Sequence, residues 1–322
     1  MLDATRLRVL VAIARHGSVT AAAQVLNYAQ PSISHHMARL ESETGAKLME
    51  RSGRGVRLTE AGRLLAERAE EILGRLDAAE AELAAHVGLR QEKVRLAAFG
   101  SALGTLAATA GAALRADRAS AEISLIQAEP DDALRMLRVG AVDVALIFRY
   151  SRDTDRQDRA GSDRPVTGAG DPLNSDDLRY HAVLDEPVYL ITPSSGPGGR
   201  PASPTPAGVS LLADCAGHRW IAGCERCQDV LIRLCQAAGF SPDIAVTTDD
   251  YVAAQALVAA GLGTAILPGL ALRALRHPGV AATELAGTRR QVFAVTYGAP
   301  PEPLAAGALV AALTRSAARY GG

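Results

Sequence analysis

Apolar residues in the first sixty positions recur at helical spacing in three short blocks. The first block predicts a helix that Asp3 can cap and that ends at Gly17. A second helix begins after Ser18, and a third begins near Pro31, where a missing N–H costs nothing. The apolar positions of these helices are Leu7, Leu10, Val11, Ala14, Ala21, Ala22, Ala23, Leu26, Ile33, Met37 and Leu40.

The second and third helices meet at Asn27 and Tyr28, which predicts a helix-turn-helix. The face left outside carries short donors and acceptors that can reach base edges and phosphates in a major groove. The alternative is an ordinary helical hairpin with a solvated polar face. The candidate DNA-binding residues of these two helices are Ser18, Thr20, Gln30, Pro31, Ser32, Ser34, His35, His36 and Arg39.

A β-hairpin is predicted immediately after these helices. Residues 47–58 contain two short extended pieces around Gly53 and Gly55. Arg51, Arg54 and Arg57 point out of this hairpin, where they can contact the phosphate backbone of DNA. The hairpin therefore indicates a winged helix-turn-helix over residues 1–58.

One long helix is predicted from Thr59 to about Val87. Apolar residues follow alternating steps of four and three along it, which is the pattern of a coiled-coil seam. The seam could instead lie on the body of the same chain, but its position between head and body favours dimerisation. Its members are Leu65, Ala69, Ile72, Leu76, Ala79 and Leu83.

From residue 94 the pattern alternates between strands and helices, which predicts a doubly wound α/β body. Residues 151–177 are almost without apolar side chains and predict a mobile insert. The predicted strands are 94–99, 122–127, 142–148, 187–192, 219–221, 244–247, 263–267 and 289–296, and Gly100 and Ser101 form a turn. The predicted helices are 103–114, 131–139, 228–238, 251–260 and 303–320, the last returning to the first lobe.

The order of these pieces resembles the LysR-type transcriptional regulators over the whole chain except residues 151–177. The matching motifs are the Ala-Ala-x-x-Leu helix, Gln30-Pro-Ser-Ile-Ser-His-His36, Leu40-Glu41, Thr44-Gly45, Leu48, Arg51 and Leu58-Thr-Glu-Ala-Gly62. Two positions depart from the family pattern: Met49 replaces the usual Phe, and His35-His36 replaces the commoner Arg-Gln. The second departure leaves the operator sequence open.

The resemblance implies a sequence-specific regulator whose DNA binding responds to a small molecule. Its implied partners are double-stranded DNA, an effector, further copies of the chain in a dimer or tetramer, and RNA polymerase. The predicted regions are the head 1–58, the linker helix 59–90 and the effector-binding region 91–322. Lobe I is about 91–185 with 269–322, and lobe II is about 186–268, similar to periplasmic solute-binding proteins.

Effector contacts are expected beyond the carboxyl ends of the strands, where open α/β sheets bind ligands. Ser101 follows the first strand and can hold an anion with nearby backbone N–H groups, although it could simply cap a helix. Arg149 could pair with an anionic effector or lie in solvent. The candidate effector-binding residues are Ser101, Gly104, Phe148, Arg149, Ser194, Cys224, Thr247 and Thr264, and the predicted rim also includes Ser195, Gly223 and Thr248.

Four cysteines lie close together in the sequence, at Cys215, Cys224, Cys227 and Cys235. Structural thiols, a thiol redox switch and half of a zinc site are all compatible with this spacing. If both are helical, Cys227 and Cys235 would lie about 12 Å apart along the axis, too far for one zinc ion. No metal and no cofactor are predicted.

Charge is unevenly distributed although the whole chain carries only −1. Residues 1–58 hold eight Lys and Arg against four acids, a net +4, which leaves −5 for the remainder. A basic head on an acidic body suits contact with DNA at one end. The sequence shows no signal-peptide pattern and no apolar run long enough to cross a membrane, so a cytoplasmic protein is expected. The alternatives are a solute-binding protein with an incidental helical head and an α/β enzyme, which the missing leader and missing catalytic set disfavour.

Overall fold

The computed structural model describes residues 2–52, 55–86, 93–117, 122–152, 177–194, 210–298 and 302–320. It divides into two units, residues 1–90 with 138–141 and residues 91–137 with 142–322. Most of the predicted insert, residues 153–176, lies outside the described residues, as does the predicted wing residue Arg54.

The first unit begins with three helices and a hairpin: α1 Ala4–His16, α2 Val19–Val25, α3 Gln30–Thr44, β1 Met49–Ser52 and β2 Gly55–Leu58. Local capping explains the first two helices, because Asp3 accepts from the Arg6 N–H and Ser18 from the Ala21 N–H. Gly17 ends α1 in the left-handed conformation that favours glycine. The residue before α3 is Ala29, so no side chain caps that helix, and Pro31 lies in its first turn as predicted.

The core of this unit forms where α1, α2 and α3 meet. Ile33, Met37 and Leu40 are fully buried, as the helical spacing predicted. Ala14 is exposed, and the buried face of α1 instead includes Val9 and Ile13.

The long helix α4, Glu60–His86, follows the wing, and Thr59 caps it by accepting from the Gly62 N–H at 3.0 Å. Burial changes along the predicted seam. Ala69 packs into the head together with Ala66 and Leu73, which the seam did not include. Ile72, Leu76 and Leu83 are instead exposed.

The second unit alternates strands and helices, as predicted. Its strands are β3 Lys93–Ala98, β4 Glu122–Gln127, β5 Val144–Arg152, β6 Leu178–Pro193, β7 Arg219–Ala222, β8 Asp243–Thr247, β9 Thr264–Pro268 and β10 Val280–Tyr297. Its helices are α5 Gly100–Ala102, α6 Ala108–Asp117, α7 Pro130–Arg138, α8 Ser210–Ala213, α9 Glu225–Ala237, α10 Tyr251–Ala259, α11 Gly269–Ala274 and α12 Leu304–Ala317, with a π-helical segment, Leu103–Ala107, between α5 and α6.

One mixed sheet runs through this unit in the order β4-β3-β5-β10-β6-β9-β7-β8. Strand β3 is parallel to β4 and β5, and β7 is parallel to β8 and β9. The two parallel groups are joined by the antiparallel pair β6 and β10. This is the predicted two-lobed α/β arrangement with two crossing strands.

Several boundaries differ from the sequence prediction. The crossing strands are much longer than 187–192 and 289–296, and β5 runs to Arg152, so the predicted insert does not begin at residue 151. Gly100 and Ser101 begin a helix and do not form a turn, α9 begins at Glu225, and α11 was not predicted. Helix α12 packs with β3 and α6, which confirms its predicted return to the first lobe.

Candidate functional site

The exposed side of α3 carries most of the residues predicted to contact DNA. Gln30, Pro31, Ser32, Ser34, His35 and Arg39 are all exposed, because the residues between them form the buried side. Arg39 is held by Glu43 one turn later, with 3.2 Å between Nε and the carboxylate. On α2, Thr20 is exposed, whereas Ser18 is half-buried and occupied as the cap.

His36 and Tyr28 form a stacked pair at the start of α3. Their ring centroids are 5.7 Å apart and their planes differ by 26°. Asn27 takes a left-handed φ of 54°, which turns the chain so that Tyr28 comes over the helix. Tyr28 is not among the predicted DNA-binding residues, so its ring is an addition to this surface.

The wing is attached to α3 by Glu41. One carboxylate oxygen accepts from the Leu48 N–H at 2.8 Å and from the Met49 N–H at 3.2 Å, and the other meets Lys47. Burial raises the pKa of Glu41, but these hydrogen bonds outweigh it and leave the pKa below its ordinary value. The carboxylate thereby fixes the wing to α3.

Arg57 extends from β2 and is paired with Glu50 on β1, with 3.1 Å between its Nε and the carboxylate. It is two-thirds exposed, so a phosphate could replace Glu50 as its partner. The side chain of Arg51 lies outside the described part of the chain, as Arg54 does.

The second unit contains a cavity at the carboxyl ends of its strands, and the cavity includes about 600 Å³ of space, part of it open to solvent. Three of the predicted effector residues, Ser101, Phe148 and Cys224, line it. Residues outside the prediction also line it, among them Phe99, Glu129, Tyr150, Cys227 and Arg290.

Arg290 is the buried charge of this cavity, with 3% of its side chain exposed. It pairs with Glu186 at 2.6 Å, its partner in the register of β10 and β6, and donates to the Ser101 hydroxyl at 3.0 Å. The guanidinium also lies over the rings of Phe99 and Phe148, at 4.8 and 5.0 Å. Burial lowers the pKa of Arg290, but the Glu186 carboxylate raises it overall, so the side chain stays cationic.

Glu129 faces Arg290 from the end of β4. Its Oε2 atom is buried and has no hydrogen-bond partner within the described parts of the chain. Burial raises the pKa of this carboxyl, and the neighbouring Cys224 thiol and the Arg290 charge only partly offset the effect. Glu129 is therefore the cavity group with an unused acceptor.

The other predicted effector residues lie elsewhere, for reasons of strand geometry. Arg149 alternates with Phe148 and Tyr150, so it points to the opposite face of β5 and lies against Phe293. Thr264 is at the opposite end of β9 and meets His218 at 3.0 Å. Thr247 and Ser194 are exposed, Thr248 taking the cavity position, and Gly104 is an exposed residue near the Tyr251 hydroxyl.

The buried charges Arg290 and Glu186 can be recognised from their positions in the sequence. Arg290 shares the parity of buried Val292 and Ala294 on β10, and Glu186 shares that of Leu184 and Val188 on β6. A charged residue at an inward position of each crossing strand predicts a buried pair. No group of three or more His, Cys, Asp or Glu in the described residues could hold a metal ion, and none of the described helices could cross a membrane.

Comparison with known proteins extends these observations. Residues 4–63 match the family of bacterial regulatory helix-turn-helix proteins of the lysR type, and residues 166–318 match the LysR substrate binding domain. The chain belongs to the LysR-type transcriptional regulators. It is thus a DNA-binding regulator with an effector-binding domain. The match to the substrate binding domain begins at residue 166, inside the insert predicted for residues 151–177.

Relatives of this LysR-type regulator match along most of their length. The regulator TcbR of Pseudomonas sp. (strain P51) is 27% identical over 98% of this chain and 99% of its own. The probable cat1 operon transcriptional activator of Acinetobacter lwoffii is 27% identical over 86% of this chain and 83% of its own. The crystal structure of CbnR, a LysR family transcriptional regulator, has a TM-score of 0.64 at 24% identity and covers 98% of this chain and 99% of CbnR, which shows the shared fold.

Proposed function

We propose that this regulator reads its operator with the exposed side of α3, grips DNA with the wing, and responds to a small molecule in the cavity around Arg290. In this proposal the chain acts by binding and catalyses no reaction, in line with its relatives, which are transcriptional regulators. The observation that carries the proposal is the cavity itself, with its buried cation and the unused acceptor of Glu129.

The chemistry of the cavity favours a small polar effector. Arg290 is already neutralised by Glu186, so an effector carboxylate gains less from it than from an unpaired arginine. Glu129 offers an acceptor, which favours an effector with an N–H or O–H donor. The rings of Phe99 and Phe148 supply an apolar wall. The effector we propose thus has a hydrogen-bond donor beside a compact apolar part.

Self-association through α4 is part of the proposal. Ile72, Leu76 and Leu83 expose 47%, 40% and 64% of their surfaces on one side of this helix. A second copy of the helix would cover them, and it would also place two heads on paired half-sites.

The DNA-reading surface can be tested by fluorescence anisotropy with duplex DNA from upstream of the protein's own gene. Ser34→Ala and His35→Ala each remove a group from the exposed side of α3. Each should weaken specific binding by about 1–3 kcal/mol, or roughly 5- to 150-fold in Kd, with little effect on a scrambled duplex. Ser42→Ala, an exposed serine at the other end of α3, is the matched control. Specific losses equal to those of the control would show that this surface does not read bases.

A further inference from the structure

Two of the four cysteines meet inside the cavity. The Sγ atoms of Cys224 and Cys227 are 3.1 Å apart, and both residues line the cavity wall. Both are free thiols in this structure. Cys215 and Cys235 are buried in a separate apolar cluster with Trp220 and Leu231.

The local fold brings the two thiols together. Strand β7, helix α9 and strand β8 form a parallel βαβ unit, and Cys224 is the cap at the start of α9. Cys227 follows in the first turn, so the Cys-x-x-Cys spacing places both side chains on one side of the helix. In such units this motif at a helix start is typical of thiol redox chemistry.

The surroundings make the two thiols different. A hydrogen bond from Cys224, together with the Tyr150 hydroxyl and the charge of Arg290, lowers the pKa of Cys227 despite its burial. The same hydrogen bond raises the pKa of Cys224, and burial adds to the effect. Cys227 is therefore the attacking thiolate and Cys224 the thiol that follows. Burial raises the pKa of both Cys215 and Cys235, which keeps them as inert thiols.

We propose that Cys224 and Cys227 form a reversible disulfide in the cavity, with a low-molecular-weight disulfide as the oxidant. The Cys227 thiolate attacks one sulfur of the oxidant, its S–S bond breaks, and the first thiolate leaves and takes up the proton that Cys227 lost. Cys224 then loses its proton to the Glu129 carboxylate or to water, attacks Cys227 Sγ and expels the second thiolate. Two protein thiols are oxidised and one small disulfide is reduced to two thiols.

The four cysteines lie on four different tryptic peptides, which makes the product easy to identify. Cleavage after Arg219, Arg226 and Arg233 places Cys224 in 220–226, Cys227 in 227–233 and Cys235 in a later peptide. The full-length protein is equilibrated with mixtures of oxidised and reduced glutathione, quenched in acid, alkylated, digested and analysed by mass spectrometry. The linked pair 220–226 and 227–233 should appear as the oxidised fraction rises and disappear again on reduction. The peptides of Cys215 and Cys235 should stay alkylated throughout.

Variants distinguish a specific pair from general oxidation. Cys224→Ser should give a glutathione adduct on Cys227 and no linked peptides, whereas Cys235→Ala should keep the 224–227 link. The proposal is overturned if both cavity cysteines remain alkylated at every ratio, or if either forms a link to Cys215 or Cys235 first. The readout uses neither DNA nor effector, so it is independent of the function proposed above.

Discussion

The buried pair of Arg290 and Glu186 shows how single residues organise the cavity. The Glu186 carboxylate accepts from two donors, the Arg290 guanidinium and the Leu270 N–H at the start of α11. Such a pair costs desolvation energy that only close contacts and further hydrogen bonds offset. The Arg290–Glu186 pair therefore holds β10 and β6 together at this point. Glu129 is left as the cavity carboxyl whose protonation can change.

Glu129 gives a pH-dependent prediction at the residue scale. Its raised pKa means that the folded state holds a proton more tightly than the unfolded state, so stability falls as pH rises from the unfolded value towards the folded one. Glu129→Gln removes this penalty. The variant should gain thermal stability over the parent at pH of about 7.5, and the gain should shrink at about pH 4.

Thermal unfolding of both proteins at the two pH values checks this prediction. Comparing them at each pH cancels the other titrating groups. A stability difference that is unchanged by pH, or larger in acid, would contradict the buried, desolvated state of Glu129.

At the scale of elements, Glu41 connects α3 to the wing. Glu41→Ala leaves the Leu48 and Met49 N–H groups without their acceptor and should destabilise the head by about 1–3 kcal/mol. Because the folded pKa of Glu41 is lowered, its contribution is present above the unfolded pKa and is lost as pH falls through the folded value. The variant and the parent should therefore converge in acid.

Chemical denaturation monitored by circular dichroism measures this loss, with Ser42→Ala on the same helix as the control. DNA affinity should fall too, since the wing loses its attachment. An unchanged midpoint for Glu41→Ala would show that the wing is held by other contacts.

The exposed apolar side of α4 gives the second element-scale prediction. Ile72→Lys combined with Leu76→Lys places charges where two helices would meet, and should yield monomers that bind paired half-sites poorly. Glu67→Lys combined with Glu80→Lys changes exposed polar positions of the same helix and is the control. Sedimentation velocity tests this prediction. If the variant with Ile72→Lys and Leu76→Lys sediments like the parent, this interface is excluded.

Elements with local signals were predictable from the sequence, and elements defined by distant partners were not. Asp3, Ser18, Gly17 and Thr59 mark helix ends through contacts within a few residues, and these ends were found. The first crossing strand, β6, is predicted too short because Asp185 and Glu186 interrupt its apolar pattern. These acids pair with Arg289 and Arg290, which lie 104 residues later in the sequence.

The cavity residues differ in the same way, because some have local sequence signals and others depend on distant partners. Ser101 and Cys224 come within three residues after a strand, and Phe148 ends a predicted strand, so the rule that ligands bind at carboxyl ends located them. Thr248 of the predicted rim also lines the cavity, whereas its neighbour Thr247 is exposed. The role of Glu129 depends on its burial, which sequence spacing does not report.

At the scale of the whole molecule, regulation requires that effector binding changes DNA binding. A ligand shifts an equilibrium only by its different affinity for two arrangements, and we propose that the crossing strands between the two parallel groups act as the hinge. Ser101 lies beside Arg290 in this cavity, so Ser101→Ala should remove the effector-dependent change in the DNA footprint and spare binding without effector.

Footprints taken with and without the small-molecule fraction of a cell extract test this. Ser194→Ala is the matched control, because this exposed serine lies outside the cavity and should keep the response. A normal response from Ser101→Ala, or a complete loss of DNA binding, would show that Ser101 is a structural residue.

The most direct test of the central claim is selection of DNA by the full-length protein from a random duplex library. Paired heads should enrich an inverted repeat whose half-sites are spaced by the helical repeat. The same selection with His35→Ala should lose the preference at one position in each half-site and keep the spacing. Failure to enrich any sequence, or an identical motif from the parent and His35→Ala, would contradict the assignment of α3 as the reading helix.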